Sequence, residues 1–306
     1  MYNVNRMRLL REVKVRGTLA AAAEALGYNP SSVSHQLKLL EQEAGVPLLE
    51  PSGRKVRLTD EAMILVGHAE GIIRHLEAAE ADIALASRTV RGTVRVACFQ
   101  TAAHTVLPRA VLALRSQHPD LTVKVAHIPV EDALPALLAR DFDVVLQEDF
   151  PGHPQVALEG ADIVAAGMDR LWLITPADEG RGNLADLSDA NWIMEPPGTL
   201  ARRWSTGMCR NAGFEPRAAY ESSDVLLHVR LVGAGLGAAL VPGLALAAAG
   251  GHGVKVHALP GEPARRIAIA TRRGSSQAPA IAAVKQAIMK ELAGQLAEED
   301  RGTSVG

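Results

Sequence analysis

Thr18–Ala62 reads TLAAAAEALGYNPSSVSHQLKLLEQEAGVPLLEPSGRKVRLTDEA, and its punctuation decides the fold of the N-terminal region. Thr18 and Asn29 carry side chains that accept hydrogen bonds from the free amides at a helix start. Pro30 has the fixed φ of a first helical residue, and Gly17, Gly27 and Gly45 suit the left-handed position that ends a helix. The pattern predicts helices from Asn5 to Arg16, from Leu19 to Leu26, and from Asn29-Pro30 to Gly45. Only Gly27-Tyr28-Asn29 separate the second and third, so these two must cross at a large angle, which is helix-turn-helix geometry. Ala23 is small enough for the crossing, and Leu26, Val33, Leu37 and Leu40 have the spacing of packed faces. Beyond Gly45, Val46–Leu49, the turn Pro51-Ser52-Gly53 and the run Arg54–Leu58 predict a two-stranded wing with Arg54, Lys55 and Arg57 near its tip.

The third helix opens Asn29-Pro30-Ser31-Ser32-Val33-Ser34-His35-Gln36-Leu37-Lys38. Small polar side chains at its start, with His35, Gln36 and Lys38 a turn further on, are what a helix needs to enter a major groove and meet base edges. Cations only slightly outnumber acids over Met1–Leu65, so such a binder must rely on several copies and on correctly placed charges. The next segment supplies the copies. Thr59 with Asp60 and Glu61 starts a helix, and Ala62, Leu65, Ala69, Ile72, Leu76, Ala79, Ile83 and Ala86 are spaced alternately three and four. A seam sustained that long predicts pairing with a second copy, with Leu65, Ile72, Leu76 and Ile83 as its large members.

The whole chain has 306 residues, 48% hydrophobic and 22% charged, enough apolar material for two domains and no sign of disorder. Aromatics at 3% leave few platforms for stacking bases or sugars, and a net charge of -2 excludes a coat of cations for bulk polyanion binding. Cys98 and Cys209 are far apart and outside any C-x-x-C spacing, so no disulfide framework or zinc cluster is expected. Met1–Val13 has no apolar core of a secretion signal, and the expected location is the cytoplasm. Leu231–Gly251 is uncharged and long enough to span a bilayer. Its glycines and Pro242 break it into a helix end, a buried strand and a turn, so no membrane span is expected.

After Ser87–Thr93 the texture becomes alternating strands and helices, which predicts β-α-β units with a parallel sheet. Gln100-Thr101 follows a strand and starts one long helix to Gln117, and Glu195-Pro196-Pro197-Gly198-Thr199 repeats that arrangement further on. Two helix starts at one cleft would seat a carboxylate or other small anion. Val130, Gln147, Gly198, Arg202 and Ser222 join Gln100, Thr101 and Thr199 as candidates for lining it. Catalytic readings fail: Ser222, Asp224 and His228 lack a nucleophile elbow, and Gly233-Ala234-Gly235-Leu236-Gly237 follows a helix rather than a strand. His104, His118, His127 and His153 have no i, i+3 or i+4 ligand spacing, so no metal, cofactor or enzymatic activity is expected.

Thr18–Ala62 resembles the winged helix-turn-helix of LysR-type transcriptional regulators, and the heptad helix is similar to that family's linker helix. GTVRVACFQTAAHTVLPRAVLALRSQHPDLTVKV (Gly92–Val125) and LVGAGLGAALVPGLAL (Leu231–Leu246) resemble the family's effector domain. The resemblance implies an α/β chain with an α-rich winged helix-turn-helix over 1–58, a linker helix and hinge over 59–91, and an effector domain over 92–300. That domain would comprise two Rossmann-like lobes, about 92–164 with 267–300 and about 165–266, similar to type 2 periplasmic binding proteins. It further implies that Asn29, Pro30, Ser31, Ser34 and His35 face bases while Ser32, Lys38, Arg54 and Arg57 hold phosphates. Partners would be double-stranded promoter or operator DNA, a small-molecule effector, and further copies of the chain as a dimer of dimers. His35 stands where the family usually has a cation, Pro51 where arginine is common and Ala62 where glycine is frequent. The competing class is a cytoplasmic α/β solute-binding or enzymatic protein whose helical module reads no DNA.

Overall fold

The structure is a computed structural model that describes all residues except 53, 54, 88, 154–159, 251, 252 and 303–306, and leaves out the side chains of 52, 55, 87 and 299–302. It divides into two compact units, Met1–Ser87 and Arg88–Gly306.

The first unit consists of α1 (Val4–Arg16), α2 (Leu19–Leu26), α3 (Pro30–Ala44), the hairpin β1 (Leu49–Ser52) and β2 (Lys55–Leu58), and α4 (Asp60–Ser87). Helix starts fall where the capping side chains sit: Thr18 Oγ1 accepts from Ala21 N at 3.1 Å, Asn29 Oδ1 from Ser32 N at 3.0 Å, and Thr59 Oγ1 from Ala62 N at 3.1 Å. Gly17, Gly27 and Gly45 close their helices with φ of 74°, 68° and 72°. One cap escapes the sequence reading: Asn3 accepts from Asn5 N and Arg6 N, so α1 begins a residue early. Glu41 Oε1 accepts from Leu48 N and Leu49 N at 2.9 and 3.1 Å, and the Thr59 hydroxyl donates to Pro47 O at 3.0 Å, which pins the hairpin between α3 and α4.

The core of this unit joins Leu10, Val13, Ala23, Val33, Leu37, Leu40 and Leu48 to Ala62, Leu65, Val66 and Ala69 of α4. This corrects the expected seam. Leu65 is 8% exposed and packs inside its own unit, because the first turns of α4 lie on α1 and complete that core.

The second unit runs β3 (Gly92–Cys98), α5 (Gln100–Thr105), α6 (Leu107–Gln117), β4 (Leu121–His127), α7 (Val130–Leu138), β5 (Val144–Asp149), β6 (Ala161–Pro176), a 3₁₀ turn (Leu184–Leu187), β7 (Asn191–Met194), α8 (Leu200–Asn211), β8 (Arg217–Glu221), α9 (Val225–Gly233), β9 (Ala239–Pro242), α10 (Gly243–Ala249), β10 (Val254–Ala258), β11 (Ala264–Arg272) and α11 (Pro279–Gly302). The expected single helix over Thr101–Gln117 is two. Pro108 lacks an amide and its ring clashes with the carbonyl four residues back, so the chain turns at Val106. The expected turn after Pro242 is α10, whose Leu- and Ala-rich run has high helix propensity.

The sheet is parallel only in part. β3 pairs parallel with β4 and β5, but β11 is antiparallel to β5 and β6, and β9 and β10 are antiparallel to β6. β6 explains the mixture. Its first part, Ala161–Arg170, pairs with β11, and Leu171–Pro176 continues against β9 and β10. One strand thus serves two lobes, with the change at Arg170–Leu171 where the sequence places it near 165, and β11 carries the chain back. Alternation fixes the faces of the first lobe: Val94, Val96 and Cys98 join α6 and α11, while Ala97 and Val145 join α7. In the second lobe Trp192, Leu173 and Trp204 form one cluster and Ile193, Val229 and Val241 another. Gly237 allows the glycine-rich turn to close, since a Cβ there would overlap the Asn191 carbonyl.

Candidate nucleic-acid interface and ligand cleft

α3 buries Val33, Leu37 and Leu40 and turns Asn29, Pro30, Ser31, His35 and Lys38 to the exterior, with Ser32 and Ser34 half-buried. The residues expected to face DNA therefore share one flank, and local bonds organise it. The Ser31 hydroxyl donates to Asn29 Oδ1, which also caps the helix. Gln36 is set apart from this flank by Arg6, whose Nε donates to Gln36 Oε1 at 2.9 Å. On the wing, Arg57 is exposed and pairs with Glu50 at 2.8 Å. Arg54 lies outside the described residues. On α4, Ile72, Leu76 and Ile83 are 36%, 50% and 70% exposed, an unpartnered apolar row beyond the buried Leu65.

The second unit holds a cavity of about 1040 Å³, counted out to its open mouth, between the ends of the strands of the two lobes. Gln100, Thr101, Val130 and Thr199 line it, and the other four expected residues do not. Gln147 lies inside β5 and is 1% exposed, packed within the sheet. Gly198 forms the turn before α8 with φ of 98°. Arg202 folds back, donating at 2.8 Å to both Glu195 O and Glu221 Oε1. Ser222 builds the start of α9: its hydroxyl accepts from Asp224 N at 3.0 Å and its carbonyl bonds His228 Nε2 at 2.8 Å.

Three of the four expected residues that do line the cavity are already engaged. Gln100 reaches across the lobes, donating through Nε2 to Asp224 Oδ1 at 2.7 Å and accepting from Val225 N at 2.9 Å. The Thr101 hydroxyl accepts from Arg265 Nη2 at 2.7 Å, while Thr199 Oγ1 accepts from Arg202 N at 3.2 Å and caps α8. The start of α8 is thus capped by its own chain, while α5 starts after Phe99 without a side-chain cap.

The chemistry of the cleft instead centres on Arg265, which no sequence motif marks. Its guanidinium is 3% exposed and donates to Asp169 Oδ2 at 2.8 and 2.6 Å, to Glu148 and to Thr101, while lying 4.9 Å from the centre of the Phe99 ring. Asp169, 0% exposed, also accepts from Leu244 N at 3.2 Å. Burial pushes the Glu148 carboxyl up, with the Arg265 charge opposing. Glu195, at the end of β7, is pushed up to about 7 by burial and by the nearby Glu148, with the Thr199 hydroxyl holding it back. His228 of α9, itself buried, is pushed down by burial. Parity along β11 could have pointed to Arg265, since it falls on the same side as the buried Ile267 and Ile269. For Glu195 the signal was a carboxylate directly after the apolar run Trp192-Ile193-Met194.

Residues 4–63 match the family profile described as bacterial regulatory helix-turn-helix protein, lysR family, and residues 87–293 match the LysR substrate binding domain. The chain belongs to the LysR family. Among curated relatives of this LysR-type transcriptional regulator, CbbR of Xanthobacter flavus is 29% identical over 254 residues, covering 81% of this chain and 74% of CbbR. The dual regulator GltC of Bacillus subtilis is 25% identical over 246 residues, covering 78% and 80%. The crystal structure of the LysR regulator CbnR superposes with a TM-score of 0.51 at 26% identity over 94% of this chain and 99% of CbnR, and full-length CbnR has also been solved with its target DNA. Full-length OxyR from Pseudomonas aeruginosa shares the fold, with a TM-score of 0.69 at 20% identity over 94% and 95% of the two chains. No helix among the described residues of this LysR-type regulator is long and apolar enough to cross a membrane.

Proposed function

We propose that this LysR-type regulator works in the cytoplasm as a homo-oligomer, a dimer of dimers. α3 reads an operator in the major groove, and occupancy of the cleft by a small molecule controls the response, with no catalytic step. The observation that carries the reading is the flank of α3, where Asn29, Pro30, Ser31, His35 and Lys38 are exposed together within the residues that match the family's helix-turn-helix. Asn29, Ser31, Ser34 and His35 have the donors and acceptors for base edges, and Ser32, Lys38, Arg54 and Arg57 those for phosphates. Ile72, Leu76 and Ile83 form the pairing surface of α4. The cleft controls DNA binding only if its ligand binds two arrangements of the lobes with different free energy, and the Gln100 bridge to Asp224 and Val225 is a cross-lobe contact on which such a change would act. Thiol chemistry does not fit the trigger. Cys98 and Cys209 are buried and their thiols are pushed up to about 12, far from the thiolate that oxidants attack.

The test is a titration on DNA from upstream of the protein's own gene and on the scrambled sequence, at several salt concentrations, with footprinting. Expected are protected half-sites about one helical turn or a multiple apart, affinity that falls with salt, and loss of sequence preference in His35→Ala. If His35→Ala and Ser31→Ala keep the wild-type preference, α3 is not the reader.

A further inference from the structure

The cavity assigned above to the effector is acidic. Glu131 of α7, Glu148 of β5 and Glu195 after β7 line it, and Arg265 is the one Lys or Arg among the described residues that does. Arg265 is not available to an incoming anion, because its guanidinium is buried and spent on Asp169, Glu148 and Thr101. Drawing it away would strand two buried carboxylates. A carboxylate ligand would add another negative charge to a site that already holds more carboxylates than Lys or Arg side chains. The expectation of an anion at two helix starts is therefore at odds with the charges that surround the cavity.

Two carboxylates at the cavity lack a counter-ion among the described residues, although the Thr199 hydroxyl bonds one of them, Glu195. Glu195 has no ion-pair partner among the described residues, and Glu131 has none either. Ser205 of α8 is 9% exposed, lines the cavity, and its hydroxyl has no hydrogen-bond partner among the described residues. A hydroxyl that opens on the cavity without a protein partner is free to bond a ligand atom or water there. The remaining walls are mixed: Ile128, Val130, Phe150, Leu200 and Val225 are apolar, while His127, His228, Gln100, Thr199 and Ser223 add polar groups.

We propose that the effector is a small organic cation, a protonated amine or amidine on a short apolar body, with its charged head held between Glu131 of one lobe and Glu195 of the other and bonded by the Ser205 hydroxyl. The inference rests on the cleft being the effector site. It also supplies a reason for closure: without a cation the two glutamates repel across the cleft, and with one both are drawn to it. A charge-assisted hydrogen bond to a carboxylate is the strong kind, so the class is selected by the site's charge and the member by its apolar walls.

Full-length protein is titrated calorimetrically with butylamine, diaminobutane and guanidinobutylamine, and with butyrate and succinate as matched anions. The variants are Glu195→Gln, Glu131→Gln and Ala201→Trp, the last filling the cavity, and each is checked by its unfolding midpoint. The expected result is binding of at least one amine to wild type, weakened roughly ten- to hundredfold in Glu195→Gln and abolished in Ala201→Trp. Anion binding that Ala201→Trp abolishes, with no amine binding, overturns the cation class and leaves the cleft as the effector site. Amine binding that survives both Glu195→Gln and Ala201→Trp overturns the inference and the assignment of the cleft together. Binding of none of the five at millimolar concentration overturns the inference.

Discussion

On α3 the exposed side chains are supported by their sequence neighbours, whereas in the cleft Arg265 meets Asp169, Glu148 and Thr101 across 96, 117 and 164 residues. Asn29 caps its own helix at Ser32, and Ser31 turns back on Asn29. A surface assembled that way can lose a side chain and keep its fold, since nothing buried depends on it. A buried set of charges cannot, because each member is the solvation of the others. Function and stability are thus separable on α3 and joined in the cleft, and this contrast can be broken by substitution.

The largest expected effect is Arg265→Met. It leaves Asp169 and Glu148 buried without their cation, at a cost of about 3–5 kcal/mol. Trp172, Trp192 and Trp204 are the three tryptophans and all lie in the second unit, so denaturant unfolding followed by tryptophan fluorescence reports on that unit. A loss under about 1 kcal/mol would mean that the network is solvated after all and would remove the contrast with α3.

α4 carries the same contrast along one helix. Leu65 belongs to the core of the first unit, so Leu65→Ala is expected to cost about 2–4 kcal/mol in the unfolding of that unit. Ile83→Lys, at a position 70% exposed, should leave that unfolding unchanged and lower the oligomer mass measured by light scattering. A heptad spacing alone does not separate the two residues, because an apolar side chain facing its own domain and one facing a partner have the same period.

That ambiguity shows what was legible in the sequence. Thr18, Asn29 and Pro30 act on the backbone within three residues, so helix boundaries follow from chemistry that is local. The lobes were legible as alternating texture, but the antiparallel return of β11 was not, because no local signal states which strand neighbours which. The site failed for the same reason. Arg265 and Arg266 are adjacent cations of one type, yet the first is buried against Asp169 and the second is half-exposed beside Asp149. Gln147 and Arg202 were reasonable candidates by position, and only the pairing of β5 and the reach of Glu221 withdraw them from the cavity.

An intermediate effect is expected from pH. The Glu195 carboxyl in the folded protein sits at about 7, above its usual value, so between the two the folded state holds a proton that the unfolded state has lost. Stability therefore falls as pH rises through that window, by about 1–3 kcal/mol for a half-buried group, and Glu195→Gln should flatten the slope. Glu148 of β5, Glu131 of α7, Arg265 of β11, His228 of α9 and the Thr199 hydroxyl at the start of α8 surround the carboxyl, so a flat slope in both proteins would mean that their charges already offset its burial. A cation that binds Glu195 should release a proton near neutral pH and bind more tightly as pH rises.

The smallest effect returns to α3. Lys38 is exposed and has no ion pair among the described residues, so Lys38→Gln should leave unfolding within about 0.5 kcal/mol of wild type. If its ammonium holds a phosphate, the slope of log affinity against log salt becomes shallower by about 0.9 for each copy bound, equally on operator and scrambled DNA. A phosphate contact carries no sequence information, so the ratio of the two affinities should not move. A change confined to the operator would instead make Lys38 a base reader, one turn further along the helix than His35, and would extend the reading flank of α3 beyond its first turns.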